Sequence, residues 1–528
     1  MHEIDLEEFV RTAYRIRERA EKEGRLVNNP SDAELELLVE KEPSIVKTKY
    51  GSFVAEAEPT SRSEKFTKNS VDHPFSKAEL ELLAQCEEKL AKKKLISVDR
   101  IVGDINSETT VRLIVPVEFA HIAYGGKNLF IPTKEDKKPT YQIVFFSDEA
   151  FEKNKSKPLP EKEITIRLAM LDDGRYVKIV RNSNYIGEYK KGVFAAEDWV
   201  AKIRRKGIFL HAGCREDQLQ SVTGEDKTTR SLFVALSANG KTTLTCKILS
   251  RKSDEKSWLI QDDGGTLMPD GSFHGFEAGG IFVKTEGLRP SEQIEIYYGL
   301  LKPLTVCENV HVNETGDFDF FNYTRTSNGR AVVLRRDVMH ASQSISVPKI
   351  DNFFLITRGP IIPAISKVSR KQAVALMIAG MAMESSAGDP TQAGKIRSVF
   401  FYDPFVAGSR TDHANRFYEI LKQIPHMNYY LLNTGGVGEE DTFKQITVAH
   451  TLAILDSLLR GGLGVWVDSP SGFKVPRAVR DVDLFFIRPE KLFSKPAFEE
   501  RQEKLNNARR EAVTKLGEDL HPDIKKVF

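Results

Sequence analysis

Apolar residues recur at helical spacing near the start of the chain, at Leu6, Phe9, Val10, Tyr14 and Ile16, and again at Leu35, Leu37 and Leu38 behind Ser31-Asp32. This pattern predicts packing helices, the second with a capped start. Lys47 to Asn69 is polar and turn-rich and predicts a loop. Ser76 to Lys94 has the pattern of a long amphipathic helix. The runs Leu95 to Val98, Thr110 to Ile131, Tyr141 to Phe146 and Val177 to Val180 are rich in β-branched and aromatic residues and predict strands. Further on, Gly207 to His211, Leu232 to Leu236, Trp258 to Asp263, Asn352 to Ile356, Arg397 to Tyr402 and Tyr429 to Asn433 read as strands. Arg370 to Glu384, Asp412 to Gln423 and Ala449 to Leu459 read as helices, and charged helices close the sequence. Strands alternating with helices place the chain in the α/β class.

At 528 residues the chain exceeds the size of a single growing core, which predicts two domains. The basic bend Lys202 to Lys206 marks the boundary, giving residues 1–207 and 208–528. Charge is nearly balanced, with 77 basic against 75 acidic residues, so neither nucleic acid nor an anionic membrane is an expected partner. Cys86, Cys214, Cys246 and Cys307 lie far apart without a Cys-x-x-Cys pair, which argues against a zinc ribbon or a disulfide scaffold and for buried or incidental thiols. An acidic start without an apolar signal core, and no apolar run of membrane-spanning length, lead to the expectation of a soluble cytoplasmic protein.

The chemistry concentrates in four places. In Ser231 to Thr245 an apolar strand gives way to small residues, then Gly240-Lys241-Thr242, then a segment able to continue as a helix. That order suits a phosphate-binding loop, in which backbone N–H groups and a lysine face an anion and a hydroxyl meets magnesium. Its first position is Ala235 where glycine is usual, and the alternative is an ordinary strand-turn-helix. The strand Trp258 to Gln261 ends in Asp262-Asp263, which suits a divalent cation beside such a loop. Asn184 to Gly192 contains Lys190-Lys191 between glycines, and taken alone it reads as a solvated turn. Pro59 to Lys65 carries Arg62 among small hydroxyl residues, which suits an anion, the alternative being a solvated surface run.

Assembled in order, these motifs resemble the ATP-dependent phosphoenolpyruvate carboxykinase family from about Tyr50 to near the C-terminus. The resemblance implies a two-domain α/β fold, with a substrate-binding N-terminal domain and a P-loop mononucleotide-binding C-terminal domain. It aligns Thr60-Ser61-Arg62-Ser63 with the substrate-arginine loop, Tyr185 to Gly192 with the tyrosine and paired-lysine segment, and His211 with the metal histidine. Ala235, Leu236, Ser237, Ala238, Asn239, Gly240, Lys241, Thr242 and Thr243 fall on the phosphate loop, and Asp263 on the metal aspartate. Arg330 falls on the arginine near the transferred phosphate. Gln445, Ile446 and Thr451 fall on the nucleoside-binding end beyond Asn433-Thr434-Gly435-Gly436.

The implied reaction is gluconeogenic: oxaloacetate loses CO2, and the enolate takes the γ-phosphoryl group of ATP to give phosphoenolpyruvate. Such chemistry relies on positioning and on cations that neutralise charge. By resemblance, Arg62 holds the substrate carboxylate and Tyr185 lines the same pocket beside Lys190. Lys191, His211 and Asp263, with Asp262 adjacent, bind Mn2+; Thr242 binds Mg2+; Lys241 reaches the β/γ-phosphates; and Arg330 stabilises the phosphoryl group in transfer. Lys191 ligates metal only as the neutral amine, which Lys190, Arg62 and the cation itself would favour.

Three departures stand out, mainly at nucleotide contacts. The family's His-Cys-Ser-Ala-Asn run becomes His211-Ala212-Gly213-Cys214-Arg215, and Gln445 stands where an arginine is usual. The Ser-Ala-x-Gly-Lys core is closer to the GTP-using class. Alternatives are therefore a GTP-using carboxykinase or a diverged small-molecule or protein kinase of the same fold. Monomer and homo-oligomer both remain open.

Overall fold

The computed structural model describes residues 4–58, 66–133, 138–155, 157, 159–160, 163–236, 239–383 and 395–528. The chain forms two compact units, Met1–Arg204 with Phe276–Met339, and Arg205–Gly275 with His340–Phe528. A single cut at 207 therefore does not describe it. Sheet pairing gives the reason: the strand Val306–Glu308 lies parallel to Phe53–Ala55 and antiparallel to Arg330–Leu334, so the segment 276–339 completes a sheet begun near residue 46. Arg330, expected in the C-terminal domain, belongs to the first unit.

The first unit contains, among the described residues, an eight-stranded mixed sheet. Its main path runs Leu26–Asn28, Leu95–Ile101, Thr110–Pro116, Tyr141–Phe146, Tyr176–Arg181, Thr165–Met170, Thr67–Asn69. The helices Leu6–Lys22 and Lys77–Leu90 bury Phe9, Val10, Leu82 and Leu83 against one face. Capping boxes at Ser31/Glu34 and Ser76/Glu79 satisfy the exposed first-turn N–H groups. A second sheet, five-stranded, orders Gly280–Lys284, Arg330–Leu334, Val306–Glu308, Phe53–Ala55 and Val46–Lys47. The expected loop from Lys47 to Asn69 thus contributes strands to both sheets.

Two further expectations change in this unit. The run Thr110 to Ile131 is a strand only to Pro116, and Ala120–Gly126 is a buried helix. The expected lysine turn is the beginning of a 19-residue helix, Ile186–Arg204.

Among the described residues, the second unit is built on an eight-stranded sheet. Three central strands, Asp226–Val234, Asn352–Thr357 and Asn428–Asn433, run parallel. Period-two alternation divides their side chains between two cores. Leu232, Val234, Phe353 and Leu355 face the helices Arg370–Ala379 and Arg410–Gln423, while Phe233, Phe354 and Tyr430 stack on the other side with centroids 4.7 and 5.1 Å apart. Each such buried ring contributes about 1.5–3 kcal/mol. The helix expected to reach Glu384 stops at Ala379, because Gly380 takes φ +50 and carries the chain into the strand Met381–Met383. The strand expected over Arg397 to Tyr402 is short, Ile396–Ser398, followed by a 3-10 turn Phe400–Tyr402. All four cysteines are buried, and none of them forms a disulfide. No helix among the described residues is long and apolar enough to cross a membrane.

Candidate active site

In the second unit the expected residues gather at the carboxyl ends of the parallel strands, where open α/β sheets bind ligands. Val234 ends its strand, Ala235 and Leu236 are buried, and Ser237 and Ala238 lie outside the described residues. Asn239 is buried, and its carbonyl accepts a hydrogen bond from Thr434 Oγ1 at 2.9 Å, tying this loop to the end of the strand Asn428–Asn433. Gly240 has φ +91, a backbone region costly for other residues, and Lys241 then opens the short helix Lys241–Cys246. Thr242 and Thr243 on its first turn are half-buried.

Lys241 Nζ forms an ion pair with Asp263 Oδ1 and lies 3.4 Å from the His211 carbonyl. His211 Nε2 is 3.0 Å from the same Asp263 oxygen. The imidazole Nδ1 is 3.4 Å from the Tyr402 carbonyl. A carbonyl only accepts, so Nδ1 carries hydrogen, and Nε2 is the ring nitrogen that faces the carboxylate. Imidazole nitrogen and carboxylate oxygen, both about one-fifth exposed, form a donor pair that suits a divalent metal, with a backbone carbonyl orienting the ring from behind. No group of three or more His, Cys, Asp and Glu side chains among the described residues is arranged for a metal ion.

Buried support lies behind these groups. Asp262 is 1% exposed, and a Cβ on Gly213 would stand 2.7 Å from its carbonyl and closer still to Thr245 Oγ1. Only glycine lets this strand approach so closely. Arg215, fully buried, makes a bidentate pair with Asp217 at 2.7 and 2.6 Å and donates to the Leu244 carbonyl, latching the strand Ala212–Gln220 to the helix that begins with Lys241. The altered run after His211 is thus a packing solution.

At the end expected to meet the nucleoside, Asn433 Nδ2 donates to the carbonyls of Gly359, Ile362 and Gly436, fixing the loops after two strands. Gln445 is exposed and pairs with Gly436 in a short hairpin, while Ile446 and Thr451 are buried and Thr451 Oγ1 bonds to its own helix at Thr447. Arg358 lies across Gly435 at the end of the strand Asn352–Thr357, and burial pushes its pKa down. Sequence reasoning missed it; the cue was an arginine directly after an apolar strand.

In the first unit, Tyr185 is 2% exposed and its hydroxyl accepts from Arg330 Nε at 3.3 Å, while burial raises its pKa. Lys191 Nζ stands 5.7 Å from the Tyr185 ring centroid. Lys190, 3% exposed, points elsewhere: its Nζ is 3.1 Å from the fully buried Glu277 carboxylate and lies between the rings of Phe194 and Phe282. Arg62 lies outside the described residues. The segment leading to it is anchored, with Ala57 N–H donating to Asn309 Oδ1 at 3.1 Å and Arg325 reaching Glu56 at 2.9 Å. The structure therefore brings together His211, Lys241 and Asp263 in one unit and Tyr185, Lys191 and Arg330 in the other.

The family model for phosphoenolpyruvate carboxykinase matches residues 47–484. The chain belongs to the ATP-dependent phosphoenolpyruvate carboxykinase family. Among its curated relatives, the phosphoenolpyruvate carboxykinase (ATP) of Aeropyrum pernix is 26% identical over 419 residues, covering 78% of this chain and 79% of the relative. Those of Campylobacter jejuni subsp. doylei and Chelativorans sp. are each 26% identical, over 451 and 481 residues; they cover 82% and 86% of this chain and 81% and 85% of the relatives. Both the Tyr185 to Gly192 segment and the Ser231 to Thr245 segment fall inside the carboxykinase match.

Proposed function

We propose that this chain decarboxylates oxaloacetate and phosphorylates the enolate with ATP, yielding phosphoenolpyruvate, ADP and CO2, a carboxy-lyase step of the kind used in gluconeogenesis. The observation that carries the reading is the convergence of His211 Nε2 and Lys241 Nζ on one oxygen of Asp263, beside the loop that follows one of three parallel strands.

In this reading the loop 235–243 is a P-loop whose backbone N–H groups face the phosphates, and Lys241 neutralises the β/γ-phosphates. Thr242 would hold Mg2+, and Lys191, His211 and Asp263 would hold Mn2+ with Asp262 behind them. Bound metal would supply Lewis-acid polarisation of the enolate oxygen. Arg62 binds the substrate carboxylate, Tyr185 lines its pocket, and Arg330 neutralises charge on the phosphoryl group in transfer. Lys190, paired with Glu277, supplies fixed positive charge beside Lys191 instead of a substrate contact.

A coupled assay tests this directly. Phosphoenolpyruvate should form from oxaloacetate with ATP, Mg2+ and Mn2+, faster than with GTP. No product with either nucleotide removes the reading, and a GTP preference transfers it to the GTP-using class.

A further inference from the structure

One buried polar network holds the peptide groups on both sides of Tyr185. Before it, the Asn184 carbonyl accepts a hydrogen bond from His121 Nε2 at 2.8 Å. After it, the Ile186 N–H donates to Glu308 Oε1 at 2.7 Å. His121 Nε2 and Glu308 Oε1 stand 3.9 Å apart. The other imidazole nitrogen meets Glu42 Oε2 at 2.8 Å, and Glu42 Oε1 accepts the His121 backbone N–H at 2.6 Å. Nε2 faces a carbonyl and Nδ1 a carboxylate, so both ring nitrogens donate. Burial opposes a charged ring, yet Glu42 and Glu308 hold the His121 pKa above its ordinary value.

The network closes on itself. Glu308 is the cross-strand partner of Arg330, whose guanidinium donates to the Tyr185 hydroxyl. Tyr185 is thus held at its two flanking peptides and at its tip. Asn184 extends the hold: its Oδ1 accepts from Glu58 N–H and its Nδ2 donates to the Glu56 carbonyl, both at 2.8 Å, on the segment that runs toward Arg62. Glu42, His121, Asn184 and Glu308 are all at most 5% exposed. Burying two carboxylates around an imidazole gives little net stability over apolar packing. What it does supply is direction, because each hydrogen bond fixes a peptide plane next to a site residue.

We propose that Glu42, His121 and Glu308 are positioning residues for the oxaloacetate side of the reaction, setting Tyr185 before substrate arrives. This rests on the carboxykinase reading. The test compares full-length wild type with E308A, E308Q and H121Q, measuring oxaloacetate kinetics, ATP affinity by calorimetry and folding by circular dichroism. E308A and H121Q should raise the oxaloacetate KM about tenfold with ATP affinity unchanged, and E308Q, whose amide oxygen still accepts from Ile186, should recover most of the loss.

Folded variants with wild-type oxaloacetate kinetics overturn the proposal, as does a parallel fall in ATP affinity, which would mark general loosening. If E308A does not fold, the decision passes to E42Q: a KM rise of about threefold supports the proposal and none overturns it. A wild-type chain that makes no phosphoenolpyruvate removes the carboxykinase reading, whereas an active wild type with indifferent variants removes the positioning alone.

Discussion

Lys241 meets its carboxylate from a loop at the end of a strand, with His211 and Asp263 about one-fifth exposed beside it. Tyr185 is held from behind, by Glu42, His121 and Glu308, none of which reaches solvent appreciably. One set of candidate residues is therefore made of backbone loops and partly buried charges, and the other rests on buried ion pairs that fix peptides. Turnover and stability should separate in the first and travel together in the second.

The largest test falls on the loop side. Lys241→Met should lower kcat/KM about 10³-fold or more in the coupled assay, the scale of losing a cation on the transferring phosphoryl group, while the urea midpoint stays near wild type. A large loss of stability would break the contrast. Arg215→Ala sharpens it from the opposite direction, because it leaves Asp217 buried without its cation. Denaturation should report a loss of about 3–5 kcal/mol, although neither residue is expected to touch a substrate.

On the buried side the test is pH. Burial, opposed by His121, raises the Glu308 pKa from 4.5 to about 7. The folded chain then holds this proton more tightly, so the contribution is fully present below about pH 4.5 and is lost as pH rises through about 7, at most about 3 kcal/mol. The raised pKa of His121 has the same sign, its stabilisation fading as pH rises through the folded value. Urea midpoints at pH 5 and 8 should fall less for E308Q than for wild type. The smallest effect expected is Gly213→Ala, about 1–3 kcal/mol from a Cβ pressed against the Asp262 carbonyl and Thr245 Oγ1, with a further cost in kcat as the helix carrying Lys241 shifts.

The same contrast governs what could be read in advance. The strand Lys256–Gln261 ending in Asp262-Asp263, and the strand, loop and helix around Lys241, follow from local order in the chain, and both were legible. The helices Ala120–Gly126 and Ile186–Arg204 were not, and glycine is the reason. A Cβ on Gly125 would stand 2.7 Å from Ile186 Cδ1, one on Gly126 2.9 Å from Tyr189 Cδ1, and one on Gly192 2.7 Å from Ile143 Cδ1. These glycines let two helices and a sheet press together, whereas in sequence they punctuate like turns. Lys190 illustrates a related limit. Its burial against Glu277 depends on a residue far along the chain, which no local pattern around 190 encodes. Glu42, His121 and Glu308 share no motif, and only an acidic residue ending the apolar strand Val306–Glu308 hinted at the third.

The return of Phe276–Met339 to the first unit also sets an order of assembly during synthesis. The strand Phe53–Ala55 emerges early but its partner Val306–Glu308 lies about 250 residues later, so its sheet stays incomplete while the chain lengthens. By then residues 205–275 of the second unit have also left the ribosome, and they cannot finish their own sheet until Asn352–Thr357 and Asn428–Asn433 follow. Two half-built sheets must wait side by side on one nascent chain. Such long-range closures slow folding and leave strand edges open to wrong partners, so a fragment ending between 275 and 339 should need chaperone help that the finished chain does not.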